Sequence, residues 1–271
     1  MTGKKLLFTT MTIDWALVKK QTLWSYEDLI KKLEKVLAYG FVQEHYHHTM
    51  KEAGRYVSKV QNGYMQTSDL IRSGPLIASF KKLQAFRIAS YGDLVQRVAT
   101  REKCQVLLDQ TDLSFDELIS VLNYLFRWVL PFAIPAREFL AVEDAVQAGY
   151  LGQLKRHRVC TNLDILERGR IRAGRKELSR VTGVPEPFLL VIIHKADISR
   201  LAYVRGKTVN HLCGGGYDTL KKIADADAAK MEKDMAAYYR TLGKSSSDFK
   251  AVIPLSWMIG GARILPRVIK G

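Results

Sequence analysis

Apolar positions along this chain recur at three- and four-residue intervals, the period that one buried helix face requires. Leu94, Val95 and Val98 follow it, and so do Leu118, Ile119, Leu122 and Leu125. Strand evidence is confined to Lys5–Ile13 (KLLFTTMTI), where Thr mixes with aliphatic residues. Gly40, Gly74–Pro75, Pro131, Pro135, Gly183–Val184–Pro185 and Gly214–Gly216 mark breaks between segments. The pattern predicts a mainly α protein of many short helices, with a short N-terminal strand as its one β element.

One stretch of the pattern occurs twice. Leu83–Leu122 aligns without a gap on Leu154–Ile193, 71 residues on. Eight positions are identical: Leu83/Leu154, Arg87/Arg158, Asp93/Asp164, Arg97/Arg168, Arg101/Arg172, Leu107/Leu178, Thr111/Thr182 and Leu118/Leu189. Seven more exchange one aliphatic residue for another, whereas chance gives roughly two or three identities at ordinary residue frequencies. A duplicated helical unit is therefore expected.

The core of the repeat reads as a helix start. RIASYGDL at 87–94 and RVCTNLDI at 158–165 share a polar step to Ser or Thr, then an acid and an aliphatic residue. TLWSYEDL at 22–29 is a third version and CGGGYDTL at 213–220 a fainter fourth. Ser25, Ser90 and Thr161 can each place an oxygen over the first free amides of the next helix. Asp28, Asp93 and Asp164 then face its positive end.

At 271 residues the chain can bury a sizeable core. Four regions are expected: a helical region over 1–78, a first repeat over 79–150, a second over 151–243 and an apolar tail over 244–271. No signal peptide is visible at the N-terminus. The most apolar stretch, Val121–Ala136, is too short for a membrane span and holds Arg127, so it reads as a buried helix. Cys104, Cys160 and Cys213 are few and scattered, which suits a reducing cytoplasm and neither a disulfide frame nor a zinc knuckle.

Charge changes the picture more. The formal net charge is +15, and residues 151–212 hold thirteen Lys or Arg against five acids, an excess of eight. A basic patch on a helical module is a footprint for phosphates or acidic partners. Arg168, Arg172 and Arg175 are expected on one helix face at i, i+4 and i+7, with Arg170 and Lys176 beside them. After this repeat, Leu201–Val209 (LAYVRGKTV) has the order of a helix-hairpin-helix: a leucine, a tight turn, then Lys-Thr opening a second helix. In such hairpins the turn amides and nearby cations take phosphate oxygens, which nominates Arg205, Gly206, Lys207 and Thr208. Tyr203 and Arg205 stand where that motif has its two glycines, and Gly206 comes one position later. The matching place in the first repeat, Leu130–Arg137, is mostly apolar and reads as packing.

The pieces LDILERGRIRAGRKELSRVTGV, ADISRL, VRGKTVNHL and GYDTLKKIADAD together resemble the domain of unknown function 4332 family, clearest over 154–243. That resemblance implies tandem helix-hairpin-helix-like units. It assigns no activity, since related hairpins either bind DNA or RNA backbones non-specifically or mediate protein contacts. Two readings follow. One is a non-enzymatic cytoplasmic protein binding nucleic-acid backbone. The other is a scaffold subunit meeting an acidic protein or an anionic lipid surface.

No catalytic set, cofactor motif or small-molecule substrate emerges. Glu44–His48 is the one metal-like cluster, with His45 and His48 sharing a face, and no second cluster completes a site. Gly214–Gly216 lacks the strand and the GK[ST] of a phosphate loop, and reads as a helix exit. Asp109, Asp112, Asp116 and Glu117 read as capping and solvation. The tail (IPLSWMIGGARILPRVIK within 253–270) is expected either to dock on the protein's own core or to anchor at a partner or membrane surface.

Overall fold

The computed structural model describes residues 13–46, 49–64, 73–140, 144–244 and 254–270. These residues form sixteen α-helices and no strand, so the fold is mainly α. The strand expected over Lys5–Ile13 lies outside the described residues but for Ile13, which belongs to no regular element.

The first half runs α1 (Ala16–Thr22), α2 (Tyr26–Leu37), α3 (Gly40–Tyr46), α4 (Met50–Tyr64) and α5 (Ser73–Ala85). Then come α6 (Tyr91–Arg97), α7 (Arg101–Gln110) and α8 (Phe115–Tyr124). The expected boundary at 78/79 falls inside α5. After α8 the chain makes one π-turn over Leu125–Val129, then runs from Leu130 without regular structure to a short 3-10 turn over Ala136–Phe139. Val121–Ala136 is buried as expected, but it is a helix only in its first part, because Pro131 and Pro135 leave no amides for one to continue. No helix among the described residues is long and apolar enough to cross a membrane.

The second half holds α9 (Ala145–Arg156), α10 (Asn162–Gly169), α11 (Arg172–Thr182) and α12 (Glu186–Ile198). It continues through α13 (Gly206–Gly214), α14 (Leu220–Ala224), α15 (Ala228–Thr241) and α16 (Leu255–Ile264). α6, α7 and α8 begin at Tyr91, Arg101 and Phe115. Exactly matched starts 71 positions on, Asn162, Arg172 and Glu186, open α10, α11 and α12.

The helix starts form as the sequence reading requires. Ser25, Ser90 and Thr161 accept hydrogen bonds from the backbone N–H of Asp28, Asp93 and Asp164. Thr219, in the fainter fourth version, does the same for Lys222. Asp93 and Asp164 also accept from the residue before each cap, Ala89 at 2.8 Å and Cys160 at 3.0 Å.

A second device precedes three of these caps. Arg87, Arg158 and Gly216 sit in the left-handed region, with φ of 56°, 60° and 92°. The following residues Ile88, Val159 and Tyr217 donate N–H to the carbonyls of Leu83, Leu154 and Leu212, five positions back, at 3.2, 3.0 and 2.9 Å. This is the 6→1 bond of a Schellman stop, in which the apolar residue after the turn folds onto the helix just ended. Each linker thus ends one helix and, three residues after its left-handed position, caps the next.

The apolar core runs without interruption from Val18 to Val268. α4 lies along α5, and α16 packs on α4, α14 and α15, burying Met258, Ile259 and Ala262. The described part of the tail therefore docks on the chain's own core. Past α16, Lys270 donates its N–H to the carbonyl of Arg170 at 2.9 Å, beside an isolated parallel bridge to Ile171.

Candidate nucleic-acid interface

The basic second half is held to the N-terminal helices by polar contacts that the sequence does not advertise. Tyr39 donates its hydroxyl to Asp164 at 2.7 Å. The Glu167 carboxylate accepts the free amides of Gly40 and Phe41 at 3.1 and 3.0 Å, capping α3 from another part of the chain. Burial works to raise the Asp164 carboxyl, but hydrogen bonds from Tyr39, Cys160 and Thr161 outweigh it and hold it below the usual range. Glu44 accepts from Lys270 at 2.8 Å and Arg170 at 2.6 Å, and these two bonds draw its pKa down to about 2.

Three nominated arginines are engaged within the molecule. Arg170 is the Glu44 partner. Arg175 is buried and lies 3.4 Å from the carbonyls of Gly169 and Arg170, where it closes the end of α10. Arg168 stays exposed while donating to the His157 carbonyl at 2.9 Å, at the end of α9. The expectation that Arg168, Arg172 and Arg175 share one helix face is corrected here. α10 stops at Gly169 and Ile171 is extended, so Arg168 belongs to one helix and the other two to the next. The break sits where Val98–Thr100 interrupts the first copy, and Lys270 donates its N–H to the Arg170 carbonyl there.

The hairpin turn is covered by the chain that precedes it. A side chain at Gly206 would meet the Cβ and carbonyl of Glu138 at 2.4 Å, so only glycine fits there. Tyr203, at φ 62°, sets its ring 5.1 Å from that of Trp128. The Arg205 guanidinium lies 4.6 Å from the centre of the Phe132 ring. Asn210 donates to the carbonyls of Glu138 and Leu140 at 3.0 and 3.1 Å. Residues 130–136 supply buried packing, as expected of that copy. Of this group, Lys207 and Arg205 remain exposed and Thr208 is half-buried.

What the geometry does bring together is a set of cations around Arg168. Its bond to His157 places it beside the exposed Arg156 and Arg158. A side chain at Gly174 would strike the Arg168 carbonyl at 2.2 Å, so the first turn of α11 rests directly on the end of α10. Arg172 and Lys176 then stand exposed on that turn, at i and i+4. The acid nearby, Glu177, is held by Arg180 at 2.7 Å. Arg156 and Arg158 were legible only as part of the charge excess. The identity of Arg158 with Arg87 marks a turn, not a site.

The remaining candidate chemistry resolves into structure. His45 lies 3.4 Å from Glu44 and 3.5 Å from Arg170, while His47 and His48 lie outside the described residues. Among the described residues no group of three or more His, Cys, Asp or Glu could hold a metal ion. The three cysteines are free. Glu117 caps α8 reciprocally with Ser114 and accepts from Lys82, so that part of the acidic cluster is capping. Gly214–Gly216 ends α13 against the Tyr238 ring. No protein-family model, curated protein or solved structure matches the chain.

Proposed function

We propose that this is a non-enzymatic protein of tandem helix-hairpin-helix-like units that binds DNA or RNA backbone without strong sequence preference. The contact surface in this reading is the set of cations around Arg168, and the hairpin turn serves as packing. The observation that carries it is the 2.9 Å bond from Arg168 to the His157 carbonyl. That bond gathers exposed cations from the ends of α9 and α10 and the start of α11, with few acids to offset them. Such a surface releases counterions on meeting phosphates and reads no base edges. Three unbridged cysteines support a reducing, cytoplasmic setting.

The test is a gel-shift titration across salt with duplex DNA and single-stranded RNA, using the native chain and an Arg172→Glu/Lys176→Glu variant. Binding that weakens steeply with salt and collapses in the variant is expected. No binding at low salt, or binding indifferent to both substitutions, rejects the reading.

One observation favours the scaffold reading. Leu190 and Val191 on α12 are 40 % and 54 % exposed, an apolar step beside the basic half that a protein partner would cover. Light scattering and a pull-down separate the two. A discrete complex that leaves nucleic acid unbound supports the scaffold.

A further inference from the structure

A recess of about 700 Å³ opens between α12, α14 and the closing segment 262–269, away from the Arg168 cations. Its apolar lining comes from Leu220, Ala224, Leu265, Val268 and Ile269. Its polar lining is cationic: Lys221, Arg263 and Arg267, with the His194 imidazole on the α12 side. Both acids that line it are already engaged. Asp197 is held by Arg200, and Asp225 pairs with Lys221. Arg263 directs Nε to the Ala224 carbonyl at 2.8 Å, fixing its guanidinium at the end of α14. Arg267 has no hydrogen-bond or ion-pair partner among the described residues. Lys221 holds Asp225 and lowers its pKa, Arg267 and Arg263 both help to do so, and these two guanidiniums line one recess as a multi-donor receptor suited to phosphate oxygens. The volume falls within the range of small-molecule sites, and an apolar floor with a few convergent polar groups is their usual composition.

We propose that this recess binds a phosphate monoester carried on a small ring-bearing body, as in a mononucleotide, with Arg267 as the principal phosphate ligand. The phosphate meets Arg267 and Arg263 at the rim, and the ring covers Leu220, Ala224 and Ile269. His194, whose pKa burial lowers, serves as a neutral hydrogen-bonding group on the opposite wall. The site is independent of the surface assigned to nucleic-acid backbone, so either assignment can fail alone.

The experiment is isothermal titration calorimetry of the full chain with adenosine monophosphate, adenosine and inorganic phosphate. Adenosine monophosphate is expected to bind more tightly than either fragment. Arg267→Gln, at an exposed position, should weaken it by about tenfold or more, the effect of losing one charged hydrogen bond. Lys221→Gln should weaken it less, and Arg172→Glu/Lys176→Glu should leave it unchanged. The proposal is overturned by no detectable binding of the nucleotide, by equal affinity for nucleotide and free phosphate, or by an unchanged Arg267→Gln protein. Loss of binding in the Arg172→Glu/Lys176→Glu protein overturns it too, since the nucleotide would then be held at the outer face.

Discussion

Arg200 donates a hydrogen bond to the phenolic oxygen of Tyr46 at 2.6 Å, joining the segment after α12 to the end of α3 across 154 positions. The same buried guanidinium grips Asp197 and donates to the Pro266 carbonyl at 3.0 Å. Burial opposes its charge, but Asp197 and Tyr46 outweigh burial and raise its pKa. Three distant parts of the chain therefore meet on one side chain.

Breaking that junction should be costly. Arg200→Met leaves Asp197 charged and unpaired in the interior, and should destabilise by about 3–5 kcal/mol. Tyr46→Phe removes one bond to a charged group and should cost about 1.5–3 kcal/mol. Urea unfolding of both proteins checks the order. An Arg200→Met/Asp197→Leu double variant should recover part of the single-variant loss, because the stranded carboxylate is gone.

Arg87 and Arg158 hold left-handed backbone that glycine adopts without penalty. Both are exposed, so little packing is lost on replacement. Arg158→Gly and Arg87→Gly should each stabilise the fold by about 1 kcal/mol. Thermal melts that fall instead of rising would show that the arginine side chains matter to these turns.

Glu44 supplies a dependence on pH. Its pKa is lowered from the usual 4.5 to about 2 by Lys270 and Arg170. A depressed carboxyl contributes stability that is fully present above 4.5 and lost as pH falls through 2. Glu44→Gln should thus unfold more easily than the native chain at pH 6, and the gap should close on acidification towards pH 2. Urea midpoints across that window measure it.

The Thr161 cap should matter more than the Ser25 cap. Each hydroxyl accepts one amide and donates to the acid three residues on at 2.8 Å, but Asp164 is also held by the Cys160 amide and by the Tyr39 hydroxyl, which ties the Thr161 cap to the N-terminal helices. Ser25→Ala should cost about 1 kcal/mol, and Thr161→Ala more than that. Equal losses would mean that the Tyr39 link contributes nothing through the cap.

The elements that the sequence revealed are those built from neighbours. Ser25, Ser90 and Thr161 all cap as their spacing foretells, because a cap involves residues three apart, whereas Thr219 caps three residues after the place that the fourth version gave to Ser or Thr. The Schellman stops were hidden, since arginine occupies two positions where glycine is the usual sign. The break between α10 and α11 was missed because apolar spacing continues through Ile171; it recurs at Val98–Thr100 in the first copy. The engagement of Arg170 by Glu44, 126 positions away, leaves no local trace at all. A charge count therefore overstated how many of the nominated cations face outward.

The clasp of Lys270 on Glu44 spans 226 positions, and it sets a timetable for biosynthesis. Ribosomes extend chains at about 5–20 residues per second, so α3 waits on the order of ten seconds or longer for its closing partner to be made. During that interval α3 has α2 and later α10 to pack on, but the buried Tyr46 waits for Arg200 and Glu44 for Lys270. Chaperone dependence during translation should accordingly be concentrated on this early segment.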